Sequence, residues 1–433
     1  MRPTMAFDSS LTVHAWSMAT AAVVSAACGL VGGFLVVRRM SLLGDAIAHA
    51  VLPGIAVAVL AGGSLGGPLV FAGAVAAALL TVWLTQALHA GVGLAEDAGA
   101  GVVFTSLFAL GVVIVSLAAA RIDLDPECVL YGILELAAFD LVPVGTLLMP
   151  RALVTAVVVL MIITMLLVTT WRWQLFTAFD PAAARAAGIP VTMATTLLLA
   201  ATALAAVAGF EAVGAVLVVA MLVVPAATAE LLVQRMHSLL LVAVAVAIAA
   251  ASAGYALAWR WNTSAAGMIA VVLGGCYAVA VLLAPGDGIL ARGIARLRLE
   301  WRVAREDCPA RIWRACEADG SDSAHVGNPQ TWLERLAGLW LERRGMVRRE
   351  KGRVTLSDHG RREAEMVVRS HRLWEAWLGR HAELPIDHLH SPAEWLEHHL
   401  GAAMRDQIEA ELVAGQVDPH GRPIPPEATS HQH

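Results

Sequence analysis

Apolar residues run almost without interruption through the first part of this chain, broken at short intervals by a few charges or by Gly and Pro. A helix crossing a hydrocarbon layer of about 30 Å needs about 20 such residues. Runs of that kind are expected at 14–37, 43–61, 67–88, 98–119, 150–170, 190–208, 211–232, 238–259 and 263–284. The pattern predicts an all-α polytopic membrane protein with eight or nine transmembrane helices, the 190–232 stretch being the hardest to divide. The first run resembles a signal peptide with Cys28 as a lipidation cysteine, but it stays apolar to Val37 before Arg38 and Arg39, as a retained span does. A breaker cluster, Pro285, Gly286, Asp287 and Gly288, closes the apolar region. Beyond it the pattern becomes mixed and helical, with one strand-like piece at Arg353–Leu356 and a Pro-rich tail from Asp418. The expected divisions are a membrane domain at 1–288, a linker at 289–305, a winged-helix-like region at 306–370, a further helical domain at 371–427 and a tail at 428–433.

Composition sharpens that division. Hydrophobic residues make up 58% of the chain and charged ones 15%, too apolar a balance for an ordinary soluble enzyme. Roughly two-thirds of the charges follow Pro285, which separates a membrane part from a water-exposed part. The net charge of -5 and the lack of a long basic run give no sign of a large nucleic-acid surface. Five scattered cysteines, none in a C-x-x-C pair, imply neither a disulfide framework nor a zinc knuckle. Nine spans would put Arg38, Arg39, Arg172, Arg185, Arg235 and Arg292 on the cytoplasmic side, as the positive-inside rule asks, with Arg121, Arg151 and Arg260 against it.

Chemistry enters the membrane part at three places. In Arg38-Arg39-Met40-Ser41-Leu42-Leu43-Gly44-Asp45-Ala46-Ile47-Ala48-His49, two ionisable residues four apart share one face of an apolar helix. An ionisable residue at membrane depth is costly and marks an ion path by default, although an Asp–His hydrogen bond between helices fits the spacing equally well. A carboxylate with an imidazole suits Mn2+ or Zn2+ better than an organic substrate. In Phe179-Asp180-Pro181, Asp180 is a natural N-cap, Pro181 an N1 residue and Gly188 a stop, so a short helix is expected between two spans. Glu211 stands in a span or at its boundary, ahead of the helix-bending Pro225. No G-x-x-x-x-G-K-(S/T) loop occurs, so the chain has no ATP site of its own.

The string from Arg38 to Ala50 resembles the second-span signature R-R-M-(A/S)-L-(L/M)-G-D-A-(I/L)-S-H-A of the permeases of manganese, zinc and iron ABC importers, with Ala48 in place of the usual serine. That resemblance implies that Asp45 and His49 line the translocation path, with Glu211 a further candidate. It also implies that the helix carrying Phe179, Asp180, Pro181 and Gly188 couples to an ABC ATPase subunit. An extracytoplasmic metal-binding protein, pairing of two permeases and a bacterial inner-membrane location follow from the same resemblance.

The last third of the chain holds eleven of the fifteen histidines. His371 with Glu375, and Glu394 with His398, are i,i+4 pairs that bring two potential ligands each to one helix face, where a solvated polar surface is the plainer reading. The region resembles the DtxR/MntR-type metalloregulators: a degenerate winged helix, then a metal-binding and dimerisation domain ending in Asp418-Pro419-His420-Gly421-Arg422-Pro423-Ile424-Pro425. The resemblance implies Asp307, His371, Glu394, Glu397 and His398 as principal metal ligands, with Glu375 and His390 as ancillary ones. Glu394 stands where iron-type sensors keep cysteine, and hard oxygen ligands favour Mn2+, so Mn2+ is the expected substrate and effector, with Zn2+ or Fe2+ as alternatives. DNA is not an expected partner: 319–328 is too short and turn-prone for the missing helix, and the candidate recognition helix opens on Gln330, Thr331, Trp332, Leu333 and Glu334, poor in basic contacts. The rival readings are a membrane-tethered metal-dependent DNA-binding regulator and a vitamin or siderophore permease. The latter would not need ionisable residues in its second span.

Overall fold

The computed structural model describes residues 8–62, 67–93, 96–118, 134, 138–144, 147–286, 288–327, 329–350, 352–381, 402–412 and 417–426. It divides into two compact units, Met1–Ala291 and Arg292–His433.

In the first unit the apolar runs become α1 (Asp8–Val37), α2 (Ser41–Ala50), α3 (Leu52–Leu60), α4 (Pro68–Val92) and α5 (Glu96–Ala118). A hairpin, β1 (Leu141–Val144) with β2 (Leu147–Pro150), then leads into α6 (Arg151–Thr169), α7 (Trp171–Phe179) and α8 (Pro181–Ala186). The unit closes with α9 (Val191–Val213), α10 (Ala215–Leu232), α11 (Met236–Trp261) and α12 (Ala265–Leu283).

Against the eight or nine spans expected, the described residues hold fewer helices of full membrane length. Among the described residues, seven helices are long and apolar enough to cross a membrane: α1, α4, α5, α6, α9, α11 and α12. The other two apolar runs differ for local reasons. The 43–61 run breaks at Val51 into α2 and α3, with Pro53 near the start of α3, where its missing N–H costs no helical hydrogen bond. The 211–232 run begins only after Gly214, whose φ of 86° ends α9, and it yields a shorter helix with Pro225 inside it.

α1 lies against α6, α9, α10 and α11, and its Phe34 and Leu35 are fully buried together with Leu198 and Leu199 of α9 and Met221 and Leu222 of α10. In a lipid environment no hydrophobic force separates helix from solvent, so small residues that admit close backbone approach decide the packing. A Cβ on Gly54 of α3 would fall 2.1 Å from the carbonyl oxygen of Gly73 of α4, and one on Gly73 would fall 2.5 Å from that of Gly54. A Cβ on Gly111 of α5 would fall 2.8 Å from the nitrogen of Pro53, at the α2–α3 break. These contacts hold the broken segment against α4 and α5.

The second unit takes in α13 (Ile289–Asp319) from Arg292 onward, then β3 (Ser323–Ala324), α14 (Trp332–Arg343), β4 (Val347–Glu350), β5 (Arg353–Leu356), α15 (Asp358–His381) and α16 (Ala402–Glu411). The antiparallel sheet has the order β3-β5-β4, with β4 and β5 forming a wing-like hairpin. Its core is Ile312, Cys316, Ala324, Leu341, Met346, Val347 and Val354. Among the described residues between β3 and α14 there is no helix, in line with the shortness of that stretch. Residues 289–305, expected as a linker, form the first half of α13, because Ala, Leu and Arg dominate there and favour a helix.

Candidate functional site

The membrane part is organised around α2. This helix begins after Arg39, which closes the turn with a φ of 59°, and it carries both Asp45 and His49. The Asp45 side chain lies outside the described residues. His49 is half-buried between two aromatic rings of α5, Phe104 at 5.8 Å and Phe108 at 6.2 Å between ring centroids, both edge-on. Neither phenylalanine stood out in the sequence, since an aromatic residue in an apolar run carries no mark of its neighbours.

A second arrangement unseen in the sequence begins one residue before the left-handed turn. Arg38 donates to the Gln174 side-chain Oε1 at 2.6 Å, to the Gln174 carbonyl at 3.1 Å and to Thr195 Oγ1 at 3.4 Å. Gln174, fully buried in α7, in turn donates from Nε2 to the Ala194 carbonyl at 2.9 Å. The foot of α2 is thereby tied to the helices on either side of α8. α8 itself forms as its residues dictate: Asp180 Oδ1 accepts from the backbone N–H groups of Ala182 and Ala183, both at 2.9 Å, Pro181 stands at the first position, and Gly188 has a φ of 79° past the end. Phe179 is exposed at 64% beside it.

Glu211 occupies the last turn of α9 and is half-buried. Arg151, the first residue of α6, pairs with Asp140 at 3.5 Å. At 1.5 Å of rise per residue Glu211 stands ~24 Å along α9 from Thr195, where Arg38 docks, whereas His49 follows Ser41, the first residue of α2, by little more than two helical turns, ~12 Å. Glu211 therefore sits at a different depth from His49.

In the second unit, His371 and Glu375 are both buried on α15, with His371 Nε2 3.1 Å from Glu375 Oε1. His420 Nε2 lies 4.0 Å from the same oxygen. Sequence spacing gave the first pair but not His420, which a turn brings back: Asp418 Oδ1 accepts from the His420 and Arg422 N–H groups at 3.0 and 2.7 Å, and Gly421 takes a φ of 76°. That turn is held from α15 by Arg372, buried at 2%, which pairs with Glu317 of α13, lies 3.7 Å from Asp418 Oδ2, donates to the Pro423 carbonyl and stacks 5.3 Å over the Trp313 ring. Asp307 is half-buried on α13. Beside it, burial pushes the Cys308 thiol up, which keeps it protonated and unlike a thiolate ligand. His390, Glu394, Glu397 and His398 lie outside the described residues. Among those described, no group of three or more His, Cys, Asp or Glu side chains converges as a metal site.

Comparison with known proteins gives this arrangement its context. The model of the ABC 3 transport family matches residues 10–284. This chain belongs to the ABC 3 transport family. It is a multi-pass membrane protein whose C-terminal residues 357–426 match a second family, the iron dependent repressor, metal binding and dimerisation domain. The manganese transport system membrane protein MntD of Bacillus subtilis (strain 168) is 40% identical over 291 residues, covering 67% of this chain and 98% of MntD. The zinc transport system membrane protein TroD of Treponema pallidum (strain Nichols) is 33% identical over 347 residues, covering 78% of this chain and 95% of TroD. Among solved structures, PsaBC from Streptococcus pneumoniae in complex with Fab is similar at 28% identity and a TM-score of 0.53, over 63% of this chain and 92% of that one. The ABC 3 match spans α1 to α12, and the repressor match spans α15, α16 and the Asp418–Pro425 turn.

Proposed function

We propose that this ABC 3 chain is the permease subunit of an ATP-driven importer of a divalent transition metal in a bacterial cytoplasmic membrane, with Mn2+ as the preferred ion, and that its C-terminal unit is a cytoplasmic metal-responsive, dimerising domain. The observation that carries this reading is the short helix α2, interrupted at Val51, which sets His49 four residues from Asp45 inside the membrane unit and against Phe104 and Phe108. A broken helix frees backbone and side chains to face a path, and the ionisable pair supplies the carboxylate and imidazole that a partly dehydrated Mn2+ or Zn2+ accepts.

ATP hydrolysis belongs to a separate ATPase subunit, which docks on α8 with the exposed Phe179. A metal-binding protein outside the membrane delivers the ion, and two permeases pair around the path. Glu211, at the far end of α9, serves at the mouth of that path rather than beside His49. In the tail, Asp307, His371, Glu394, Glu397 and His398 hold the effector ion, assisted by Glu375 and His390. Mn2+ is preferred over Zn2+ and Fe2+ because these groups are oxygen and imidazole donors without a thiolate. The tail acts on transport rather than on DNA, since among the described residues between β3 and α14 there is no helix to brace a recognition helix.

The test is reconstitution with the ATPase subunit in vesicles, followed by uptake of radioactive Mn2+ against Zn2+ and Fe2+. ATP-dependent Mn2+ uptake, competed only weakly by the other two, is the expected result. Uptake of Zn2+ alone would leave the permease reading standing and overturn the choice of ion.

A further inference from the structure

The first half of α13 has a feature that neither transport nor metal sensing uses. Leu290, Ile294, Leu297 and Trp301 recur at intervals of four, three and four residues, which places them in one stripe along the helix. At its far end the stripe is covered: Trp301 packs with Ala304, Leu333 and Ala337. Nearer the start it is bare, with Leu290, Ile294 and Leu297 at 50%, 49% and 49% exposure. Within 289–301 the other faces carry Arg292, Arg296 and Arg298 against a single acid, Glu300, which Arg296 pairs at 3.0 Å. The helix starts six residues after α12, the last membrane helix, ends at Leu283.

We infer that residues 289–301 form a peripheral helix lying in the headgroup layer of the membrane, with Leu290, Ile294 and Leu297 dipping toward the acyl chains and the arginines on anionic headgroups. An apolar stripe flanked by arginines and nearly free of acids is what such a surface recognises. A second copy of the helix fits less well. Three bare apolar residues fall short of the three to four heptads that a coiled coil sustains, and pairing would crowd six arginines with two glutamates to offset them. The lipid surface supplies the missing negative charge.

The experiment is hydrogen exchange on the full-length chain in nanodiscs of phosphatidylcholine alone or with phosphatidylglycerol. Peptides covering 289–301 are expected to be protected at least tenfold more in the phosphatidylglycerol discs, while those of α14 exchange alike in both. A second reading places an environment-sensitive fluorophore at Ile294→Cys or at Leu299→Cys, on the opposite face, with the native cysteines replaced. The Ile294 probe should shift to the blue and be quenched by brominated lipid only in phosphatidylglycerol discs, and the Leu299 probe should stay in water. Equal exchange in both lipids, or a water-exposed Ile294 probe, overturns the inference. Protection that appears only when the ATPase subunit is added, in either lipid, assigns the stripe to a protein partner and overturns it as well.

Discussion

Arg38 was legible in the sequence as a positive charge at a membrane boundary and the first residue of the second-span signature, yet its guanidinium reaches a fully buried glutamine on another helix. Removing one partner of a buried hydrogen bond leaves the other unsatisfied, at about 1–3 kcal/mol. Gln174→Leu, which removes the Oε1 acceptor of Arg38 and the donor to the Ala194 carbonyl, should therefore lower the stability of the purified chain by roughly that amount in thermal unfolding in detergent. Arg372 is the counterpart in the second unit. Arg372→Met leaves Asp418 buried without its cation, and breaking a buried pair from one side costs about 3–5 kcal/mol. Limited proteolysis should then cut at the Asp418–Pro425 turn well before the wild-type chain is touched, and loss of the Trp313 contact should change its fluorescence. The i,i+4 spacing announced His371 and Glu375 because a helix fixes which residues share a face. It could not announce His420, Phe104 or Gln174, whose roles depend on contacts distant in sequence.

Helices as units were more legible than single contacts. Hydropathy located every membrane helix, since each run of apolar residues must satisfy its backbone internally once in lipid. It read as long two runs that are shorter helices among the described residues, because the 43–61 run breaks at Val51 and Gly214 delays the start of the 211–232 run. The cap residues of α8 were read correctly from Asp180, Pro181 and Gly188, as caps are local chemistry. Replacing Asp180 by Ala removes the acceptor of two backbone N–H groups and should loosen that helix by about 1 kcal/mol. Its expected signature is ATP hydrolysis less tightly linked to Mn2+ uptake, measured as metal transported per ATP hydrolysed. The α3–α4 crossing is stricter. Gly54→Leu places a side chain where the Gly73 carbonyl already sits, so the protein recovered folded by size-exclusion chromatography should fall sharply, while Gly101→Leu, in open space on α5, should leave it unchanged.

At the scale of the whole chain, the charge distribution divides permease from tail near Pro285, and the division of contacts falls a few residues later, between Ala291 and Arg292. What the sequence missed there is that the intervening segment is a helix, because a linker was inferred from the change of composition rather than from the stripe of Leu290, Ile294 and Leu297. Two families are joined in one chain, and we propose on that ground that the tail senses the imported ion and restrains its import. A chain ending at residue 288, assembled with the ATPase, should transport Mn2+ at the wild-type rate when internal Mn2+ is low and lose the inhibition that internal Mn2+ imposes on the full-length chain. Equal inhibition of both chains would remove the tail from the control of transport.

The central claim is that α2 presents the ion to the path. The measurement that tests it most directly is ATP-driven uptake of radioactive Mn2+ into vesicles carrying the ATPase with wild-type, Asp45→Ala or His49→Ala chain, each first shown to be inserted and monodisperse. The account predicts that both substitutions abolish uptake while the complex remains assembled. Undiminished uptake in both would mean that the pair only ties helices together, and the path would have to run elsewhere, beginning from Glu211.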